Sequence, residues 1–258
     1  MDLVASLRSH PLMSGIEVLD RRANEAGTPR FAGVLNHHTV SNRNSGRYPS
    51  LGICQHGRRG SHPVPGPLCN ILGARGGGSI AVISNRVANH AGRGDPDVLR
   101  RARAGQPAGG RPGPDQANAG GGPGFIGIEW ENDGTGEPWA PLMLDTMWRT
   151  NAALCALHGW DPLAAVVQHA EWTRRKIDCA FLTPPITYDQ FRRDVARVLT
   201  DHDQEDEMTP AQEQKLDDLA KQVRDLRALV DALAVGPGWG HKDGTLPLLQ
   251  RIARKLGA

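Results

Sequence analysis

FAGVLNHHT, residues 31–39, is an apolar run that ends in two adjacent histidines, His37 and His38. Its length and apolar character predict a buried β-strand with both histidines at its end. The runs SIAVIS (79–84) and GFIGIEWEN (124–132) predict a second and a third strand by the same argument. Three such strands place a sheet at the centre of the chain.

Two stretches after the third strand have apolar residues at helical spacing. PLMLDTMWRTNAALCALHGW (141–160) is expected to end at Gly159, and TYDQFRRDVARVLT (187–200) is the second predicted helix. Residues 104–124 contain 12 glycines or prolines in 21 positions, which predicts a long loop that packs no core. The mixture predicts an α/β domain in which a mixed central β-sheet is flanked by helices.

Composition and charge limit the classes of protein. The chain has 258 residues, 39% of them hydrophobic, and a formal net charge of +2. This small charge gives no signal for nucleic-acid binding. The chain also has no run of about 18 apolar residues, so stable membrane insertion is not predicted. The N-terminal sequence lacks the apolar region of a signal peptide, so synthesis in a cytoplasm is expected. The four cysteines form no CxxC pair, so neither a disulfide framework nor a zinc finger is predicted.

Composition also divides the chain into three parts. Residues 1–26 are expected to form a short helical or irregular leader, and residues 27–200 form the α/β domain. Residues 201–258 begin with the acidic run DHDQEDE, which is typical of a solvated linker. The tail LPLLQRIARKLG (246–257) predicts a basic amphipathic helix, which either contacts an anionic wall polymer or lipid or is simply solvated.

The C-terminal part carries a short coiled-coil pattern. Its apolar residues alternate at steps of three and four, at Leu216, Leu219, Val223, Leu226, Val230 and Leu233. This is an a/d seam of about two and a half heptads, and it predicts a homo-oligomer formed through residues 216–233. The alternative is a helix packed on the α/β domain, because a seam this short is marginal by itself.

The histidines at the end of the first strand raise the question of a metal site. A catalytic zinc ion needs about three ligands from His, Cys or Asp/Glu side chains and one open position. Besides His37 and His38, the stretch QHAEWTRRKIDCA offers His169, with Asp178 and Cys179 nine and ten residues later. The two groups together favour a zinc site, and the alternative is that the histidines are structural.

Lys176 and Glu129 are candidates for catalytic roles. The first 200 residues contain 21 arginines and a single lysine, Lys176, which favours a requirement for a compact ammonium group at that position. Glu129 interrupts an apolar strand, so it is either paired structurally or a general base with a raised pKa. Glu131 lies on the same side of the predicted strand and competes for that role.

Four motifs resemble those of a known family, in the same order along the chain: NHHT (36–39), RVANHAG (86–92), IGIEWEN (126–132) and HAEWTRRKID (169–178). The region from about residue 27 to residue 200 is similar to the zinc-dependent N-acetylmuramoyl-L-alanine amidases. These include phage endolysins, bacterial muropeptide amidases and peptidoglycan recognition proteins. The resemblance implies the mixed α/β fold of that family for this region.

The resemblance also implies a zinc centre with His37, His169 and Asp178 as ligands. In the family, the third ligand follows a catalytic lysine by two positions and is Asp or Cys. Two positions after Lys176 stands Asp178. This chain has Cys179 where the family commonly has proline, and the segment between the second and third ligands is one residue shorter than is usual for the Asp type. Cys179 is therefore the alternative third ligand.

Three other roles follow from the resemblance. Glu129 matches the glutamate general base of the muropeptide amidases, and Lys176 matches the lysine that stabilises the oxyanion. His90, in NHAG, matches a histidine that lines the substrate groove, and its alternative is a loop histidine bonded to backbone. Residues 50–78 match the family poorly, and their two histidines are interpreted as loop residues.

The activity implied by the resemblance is hydrolysis of the amide bond between N-acetylmuramic acid and L-alanine in bacterial peptidoglycan. The C-terminal appendage favours a phage endolysin, made in the host cytoplasm without a signal peptide and active on the cell wall after release. One alternative is a cytoplasmic muropeptide-recycling amidase, which would not need that appendage. The other is a non-catalytic peptidoglycan-binding module, which typically lacks a zinc ligand.

Overall fold

The computed structural model of the chain describes residues 1–22, 30–107, 119–120, 124–205, 214–215 and 217–225. The chain forms two compact units, residues 1–203 and residues 204–258. All of the residues predicted to form the site lie in the first unit.

A six-stranded sheet is at the centre of the first unit. Its strands are β1 (Glu17–Asp20), β2 (Val34–His38), β3 (Ile71–Gly73), β4 (Ser79–Val82), β5 (Ile126–Trp130) and β6 (Val166–Gln168). In space their order is β1-β4-β3-β5-β2-β6, and all neighbours are parallel except β3 and β4. The predicted mixed sheet is confirmed, and the three predicted strands correspond to β2, β4 and β5.

Helices flank this sheet. They are α1 (Leu3–Ser9), α2 (Leu51–His56), α3 (Pro96–Arg103), α4 (Pro141–His158), α5 (Pro162–Ala165), α6 (His169–Trp172) and α7 (Tyr188–Glu205), with a 3₁₀ turn at Pro11–Met13. The two predicted helices are α4 and α7, and α7 continues to Glu205, five residues into the segment predicted to begin with a solvated linker at residue 201. As expected, α4 ends at Gly159, which adopts a left-handed conformation with φ of 66°. Two short antiparallel pairs join Gly57–Arg58 to Val64–Pro65 and Arg93–Gly94 to Ala119–Gly120.

The main core lies between the sheet and the helices α1, α4 and α7. One apolar cluster joins Val34 and Ile126 of the sheet to Leu7 of α1, Met147 of α4 and Phe191 of α7. Because side chains alternate along a strand, the next residue of β2 faces the opposite side of the sheet. There a second cluster contains Leu35, Phe125, Val167 and Trp172.

The N-terminal segment, predicted as a leader outside the α/β domain, is part of the fold. The carboxylate of Asp2 caps α1 by accepting the N–H of Val4 at 2.9 Å, and Leu3 and Leu7 of that helix are buried. β1 then adds an edge strand parallel to β4. The boundary predicted at residue 27 therefore does not separate two structural units, because residues 1–22 complete the sheet and its core.

In the second unit, residues 214–215 and 217–225 are helical. Of the predicted seam, Leu219 and Val223 lie among the described residues, and their side chains are 52% and 63% exposed. The other seam positions and the predicted tail helix lie outside the described residues. Within the described part of the chain, no helix combines the length and the apolar character needed to cross a bilayer.

Candidate metal centre

Neighbouring strands place three of the predicted residues side by side. β5, β2 and β6 run parallel, so their carboxyl ends meet at one edge of the sheet. His37 on β2 is in register with Glu129 on β5, and register partners on parallel strands point to the same face. Gln168, at the end of β6, is in register with Asn36, so His169 follows at the level of His37. The sheet thus aligns the two histidines and the glutamate along its edge.

His37, His169 and Asp178 form a compact cluster of ligand atoms. His37 Nδ1 lies 2.8 Å from His169 Nδ1 and 3.2 Å from Asp178 Oδ2, and His169 Nδ1 lies 2.7 Å from the same oxygen. The three residues are buried, with exposed fractions of 1%, 3% and 8%. Cys179 is instead enclosed in the main apolar core. The three residues expected as ligands are therefore brought together, and Cys179 is not among them.

The residues around the cluster favour protonation states in which its ligand atoms can bind a cation. His169 Nε2 lies 3.2 Å from the carbonyl oxygen of Ala91, which is an acceptor, so the hydrogen-bond network assigns the proton to Nε2 and a lone pair to Nδ1. Burial, and then the neighbouring His169, lowers the pKa of His37 to about 4, so this imidazole is neutral at pH 7. Two imidazole lone pairs and a carboxylate are ligands of zinc, and three protein ligands leave a position open. The residues present fit a catalytic zinc ion.

Glu129 lines the same cavity as the cluster, and one of its oxygens has no partner among the described residues. Its Oε2 is buried and forms no hydrogen bond with the described residues. Burial raises the pKa of this carboxyl well above its usual range, and the nearby Cys54 and Asp178 raise it further. An oxygen that no protein donor satisfies is free to accept a proton from water, which is what a general base requires.

Glu131, the competing glutamate, is committed to structural hydrogen bonds. It is fully buried and accepts from Thr39 Oγ1 at 2.8 Å, from Ser41 Oγ at 2.5 Å, and from both the N–H and the hydroxyl of Ser50 at 2.8 and 3.1 Å. These contacts join the loop after β2 to the residue that precedes α2. Glu131 therefore positions loops, and its oxygens are satisfied without a substrate.

Lys176 lies on the exposed stretch between α6 and Asp178 and lines the cavity. Two backbone hydrogen bonds shape this stretch: the N–H of Lys176 donates to Thr173 O at 3.3 Å, and that of Ala170 donates to Asp178 O at 2.6 Å. Because these hydrogen bonds turn the chain back toward α6, Lys176 and Asp178 both line the same cavity.

His90 also lines the cavity, but both of its ring nitrogens contact protein atoms. Nδ1 lies 3.0 Å from His37 Nε2, and Nε2 lies 3.2 Å from the carbonyl oxygen of Phe125. The polar contacts of His90 are thus with His37 of the ligand cluster and with the backbone. His38, the second histidine of the pair, is outside the cluster, where its Nδ1 accepts the N–H of Ala180 at 3.3 Å.

A buried ion pair, which sequence analysis did not identify, holds the short helix that begins at His169. Glu171 accepts the backbone N–H of Gln168 at 3.0 Å, and Arg192 of α7 donates to both carboxylate oxygens at 2.9 and 2.8 Å. The two side chains are only 1% and 2% exposed. Glu171 follows Gln168 at the spacing of a capping box, but glutamine is not the Ser or Thr that marks this motif in a sequence, so the signal was incomplete. Arg192, on a distant helix, had none.

A cavity of about 650 Å³ opens over the cluster. Part of its wall comes from the segment that resembles the family poorly, through Ser50, Ile53, Cys54, Arg58, Val64 and Leu68. Of the two histidines in that segment, His56 is the last residue of α2 rather than a loop residue, and neither it nor His62 lines the cavity.

The family model described as N-acetylmuramoyl-L-alanine amidase matches residues 27–181 of this sequence. The chain belongs to this family. All four motifs of the amidase lie within the matched residues, and each contributes a side chain to the one cavity. No curated protein matches the sequence of this amidase.

The amidase also shows distant similarity to solved structures. The endolysin N-acetylmuramoyl-L-alanine amidase LysCS from Clostridium intestinale is 13% identical, with a TM-score of 0.33 over 60% of this chain and 83% of that one. The Staphylococcus aureus hydrolase AmiA is 12% identical, with a TM-score of 0.42 over 71% and 83% of the two chains. AmpD is 16% identical, with a TM-score of 0.40 over 70% and 94%.

Proposed function

We propose that this amidase is a zinc-dependent hydrolase that cleaves the amide bond between the lactyl group of N-acetylmuramic acid and L-alanine of the stem peptide. The observation that carries the proposal is the convergence of His37 Nδ1, His169 Nδ1 and Asp178 Oδ2 in the wall of one cavity. Membership of the amidase family supports the class of substrate.

The proposed mechanism has three parts: polarisation of the carbonyl by the metal, proton transfer by Glu129 and charge stabilisation by Lys176. A zinc ion held by the three ligands would polarise the scissile carbonyl and lower the pKa of a bound water. Glu129 accepts the proton of the attacking water and returns it to the leaving amine. Burial raises the pKa of Glu129, which favours retention of the proton by this carboxyl between the two steps. The ammonium group of Lys176 stabilises the negative charge that develops on the carbonyl oxygen.

We assign the enzyme to the phage endolysins on the basis of its domain organisation. Residues 204–258 form a unit distinct from the amidase unit, and they carry the predicted coiled-coil seam. An enzyme that recycles small soluble muropeptides has no need of such an appendage. Activity on intact sacculi decides between the two, because a recycling amidase acts on soluble fragments and leaves sacculi uncut.

The proposal is tested by adding the purified protein to intact sacculi and analysing the new end groups. We expect new lactyl carboxyl groups and free L-alanine amines, the loss of both after treatment with a chelator, and recovery on addition of zinc. New reducing ends would show a glycosidase instead, and full activity of a metal-free preparation would refute the mechanism.

A further inference from the structure

His90 joins a metal-ligand candidate to the backbone through two hydrogen bonds in series. Its Nε2 faces the carbonyl oxygen of Phe125 at 3.2 Å, and its Nδ1 faces His37 Nε2 at 3.0 Å. We call the chain formed by this carbonyl, His90 and His37 the His90 relay.

The relay has a fixed direction. A carbonyl oxygen accepts and never donates, so the proton of His90 belongs on Nε2, and a neutral His90 then carries a lone pair on Nδ1. That lone pair accepts the proton of His37 Nε2, which leaves the lone pair of His37 on Nδ1. Nδ1 is the atom that faces His169 and Asp178 in the cluster. The carbonyl of Phe125 thus selects the ligating tautomer of a residue that it does not touch.

Both histidines of the cluster carry their proton on Nε2, but different groups accept the hydrogen bond from it. His169 donates its Nε2 proton directly to the carbonyl oxygen of Ala91 at 3.2 Å. The Nε2 of His37 instead faces Nδ1 of His90 at 3.0 Å, and His90 in turn faces a carbonyl oxygen. Partners of this kind fix the tautomer and orientation of metal-bound histidines and contribute measurably to metal affinity.

Gly127 on β5 makes room for the relay. A Cβ atom built on this residue would lie 2.3 Å from His90 Cγ, far inside van der Waals contact. The backbone of Gly127 cannot move away easily, because Asn70 Oδ1 accepts its N–H at 2.9 Å and its own carbonyl accepts the N–H of Asn70 at 2.9 Å. The imidazole of His90 therefore lies directly against a strand position where even a Cβ atom would displace it.

We propose that His90 is a positioning residue that holds His37 in its zinc-binding tautomer, with Gly127 as the surface on which its ring rests, and that His90 is not a substrate-binding group. This inference rests on the proposed function, because it takes His37 to be a zinc ligand. It accounts for both ring nitrogens of His90, whereas a role in the groove would leave its contact with His37 unexplained.

The test compares His90→Leu with His90→Asn, two side chains of nearly equal size. Asparagine retains an acceptor for the His37 proton and leucine does not. We expect His90→Leu to weaken zinc affinity by about 10- to 100-fold, measured by competition with a chromophoric chelator, and His90→Asn to recover most of that loss. Gly127→Ala, which displaces the ring without removing it, is expected to weaken zinc affinity as well. Val87→Ala, an exposed position on the same loop, is the control and should leave it unchanged.

The outcomes separate the relay from the proposed function. Zinc affinity is compared among variants whose circular dichroism matches that of the parent, and the visible spectrum of the cobalt-loaded protein reports on the ligand geometry. Unchanged zinc affinity in His90→Leu, together with a raised KM, would overturn the relay and make His90 a substrate contact. If the parent protein binds no zinc, or if His37→Ala binds it as tightly as the parent, the proposed function fails and the relay fails with it.

Discussion

Glu129 and Glu131 lie two positions apart, Glu129 half-buried and Glu131 fully buried, and their hydrogen bonds differ. Glu131 accepts four hydrogen bonds, whereas Glu129 Oε2 accepts none from the described residues. An unsatisfied buried polar atom is expensive and is a common mark of a working site. The difference arises because β5 ends at Trp130, so Glu131 belongs to the loop that meets Ser50, while Glu129 remains in the strand beside His37.

We predict opposite effects for the two amide substitutions. Glu129→Gln removes the base but retains its size, so turnover of muropeptides should fall by about 10² to 10⁴, with zinc still bound. Glu131→Gln should instead lower the free energy of unfolding by about 1–3 kcal/mol through impaired buried hydrogen bonds, with turnover per folded molecule retained. Denaturant titration and steady-state kinetics separate the two. A silent Glu129→Gln beside a kinetically damaging Glu131→Gln would reverse the assignment.

The identity of the third proposed zinc ligand gives a second prediction. Asp178 Oδ2 lies within 3.2 Å of both histidine Nδ1 atoms, whereas the thiol of Cys179 is in the apolar core, where burial raises its pKa well above the usual range. Asp178→Ala should therefore lose zinc and activity, and Cys179→Ser should retain both at some loss of stability. Metal analysis of the purified variants checks this. Retention of zinc in Asp178→Ala together with its loss in Cys179→Ser would make the cysteine the ligand.

At the residue scale, the sequence identifies functional side chains that belong to local motifs. It is less informative about the residues that those side chains contact in the folded protein. His37, His169 and Asp178 were expected as one cluster because their motifs resemble those of the family, and the structure brings them together. The same comparison places His90 in the groove, but its hydrogen-bond partners, His37 on β2 and the carbonyl of Phe125 just before β5, depend on how its loop packs against the sheet. No spacing along the chain encodes that contact.

At the scale of elements, the candidate metal centre depends on α6, a helix of only four residues. Such a short helix has almost no stability of its own, so tertiary contacts must hold it. Arg192 supplies them from α7 by binding Glu171, and the same arginine also pairs with Asp189. The orientation of His169 therefore depends on a helix that contributes no residue to the cavity.

We predict that Arg192→Met destabilises the protein far more than its neighbour Arg193→Met. The first change leaves Glu171 buried without its partner, which should lower the free energy of unfolding by about 3–5 kcal/mol and weaken zinc binding. Arg193 is exposed, so its replacement should change stability by less than about 0.5 kcal/mol. The double variant Glu171→Leu/Arg192→Leu should recover much of the stability, because it removes both charges. Equal thermal stability of the two single variants would contradict this account.

The elements that sequence analysis missed are short. β1 and β3 contain only two adjacent apolar residues each, and β6 follows α5 without a break, whereas β4, which is as short as β1, lies in the longer apolar run SIAVIS. They are strands because longer neighbours supply hydrogen-bond partners: β3 lies between β4 and β5, and β6 pairs with β2. α4 was predictable to its last residue because its apolar face is long and Gly159 terminates it.

At the scale of the whole molecule, the sheet, the helices and residues 1–22 form one amidase unit, and the C-terminal unit is distinct from it. Segments outside the recognisable motifs still shape the site. Residues 50–68 form a wall of the cavity, although their sequence resembles the family poorly. A wall built from poorly matching sequence is where substrate preference is expected to differ from that of relatives, because the metal cluster itself follows the family pattern.

The last prediction concerns self-association through residues 216–233. Leu219 and Val223 are one helical turn apart and more than half exposed, as expected for an apolar helix face that is covered only when a second chain binds. The full chain should therefore be a dimer or higher oligomer by light scattering, and removal of residues 206–258, which leaves α7 whole, should give a monomer that still cleaves soluble muropeptides. Leu219→Lys/Val223→Lys should dissociate the full chain without lowering its zinc content, whereas Lys221→Ala, on the same stretch of helix but outside the seam, should not. A monomeric full-length parent would instead mean that the apolar face packs within its own chain.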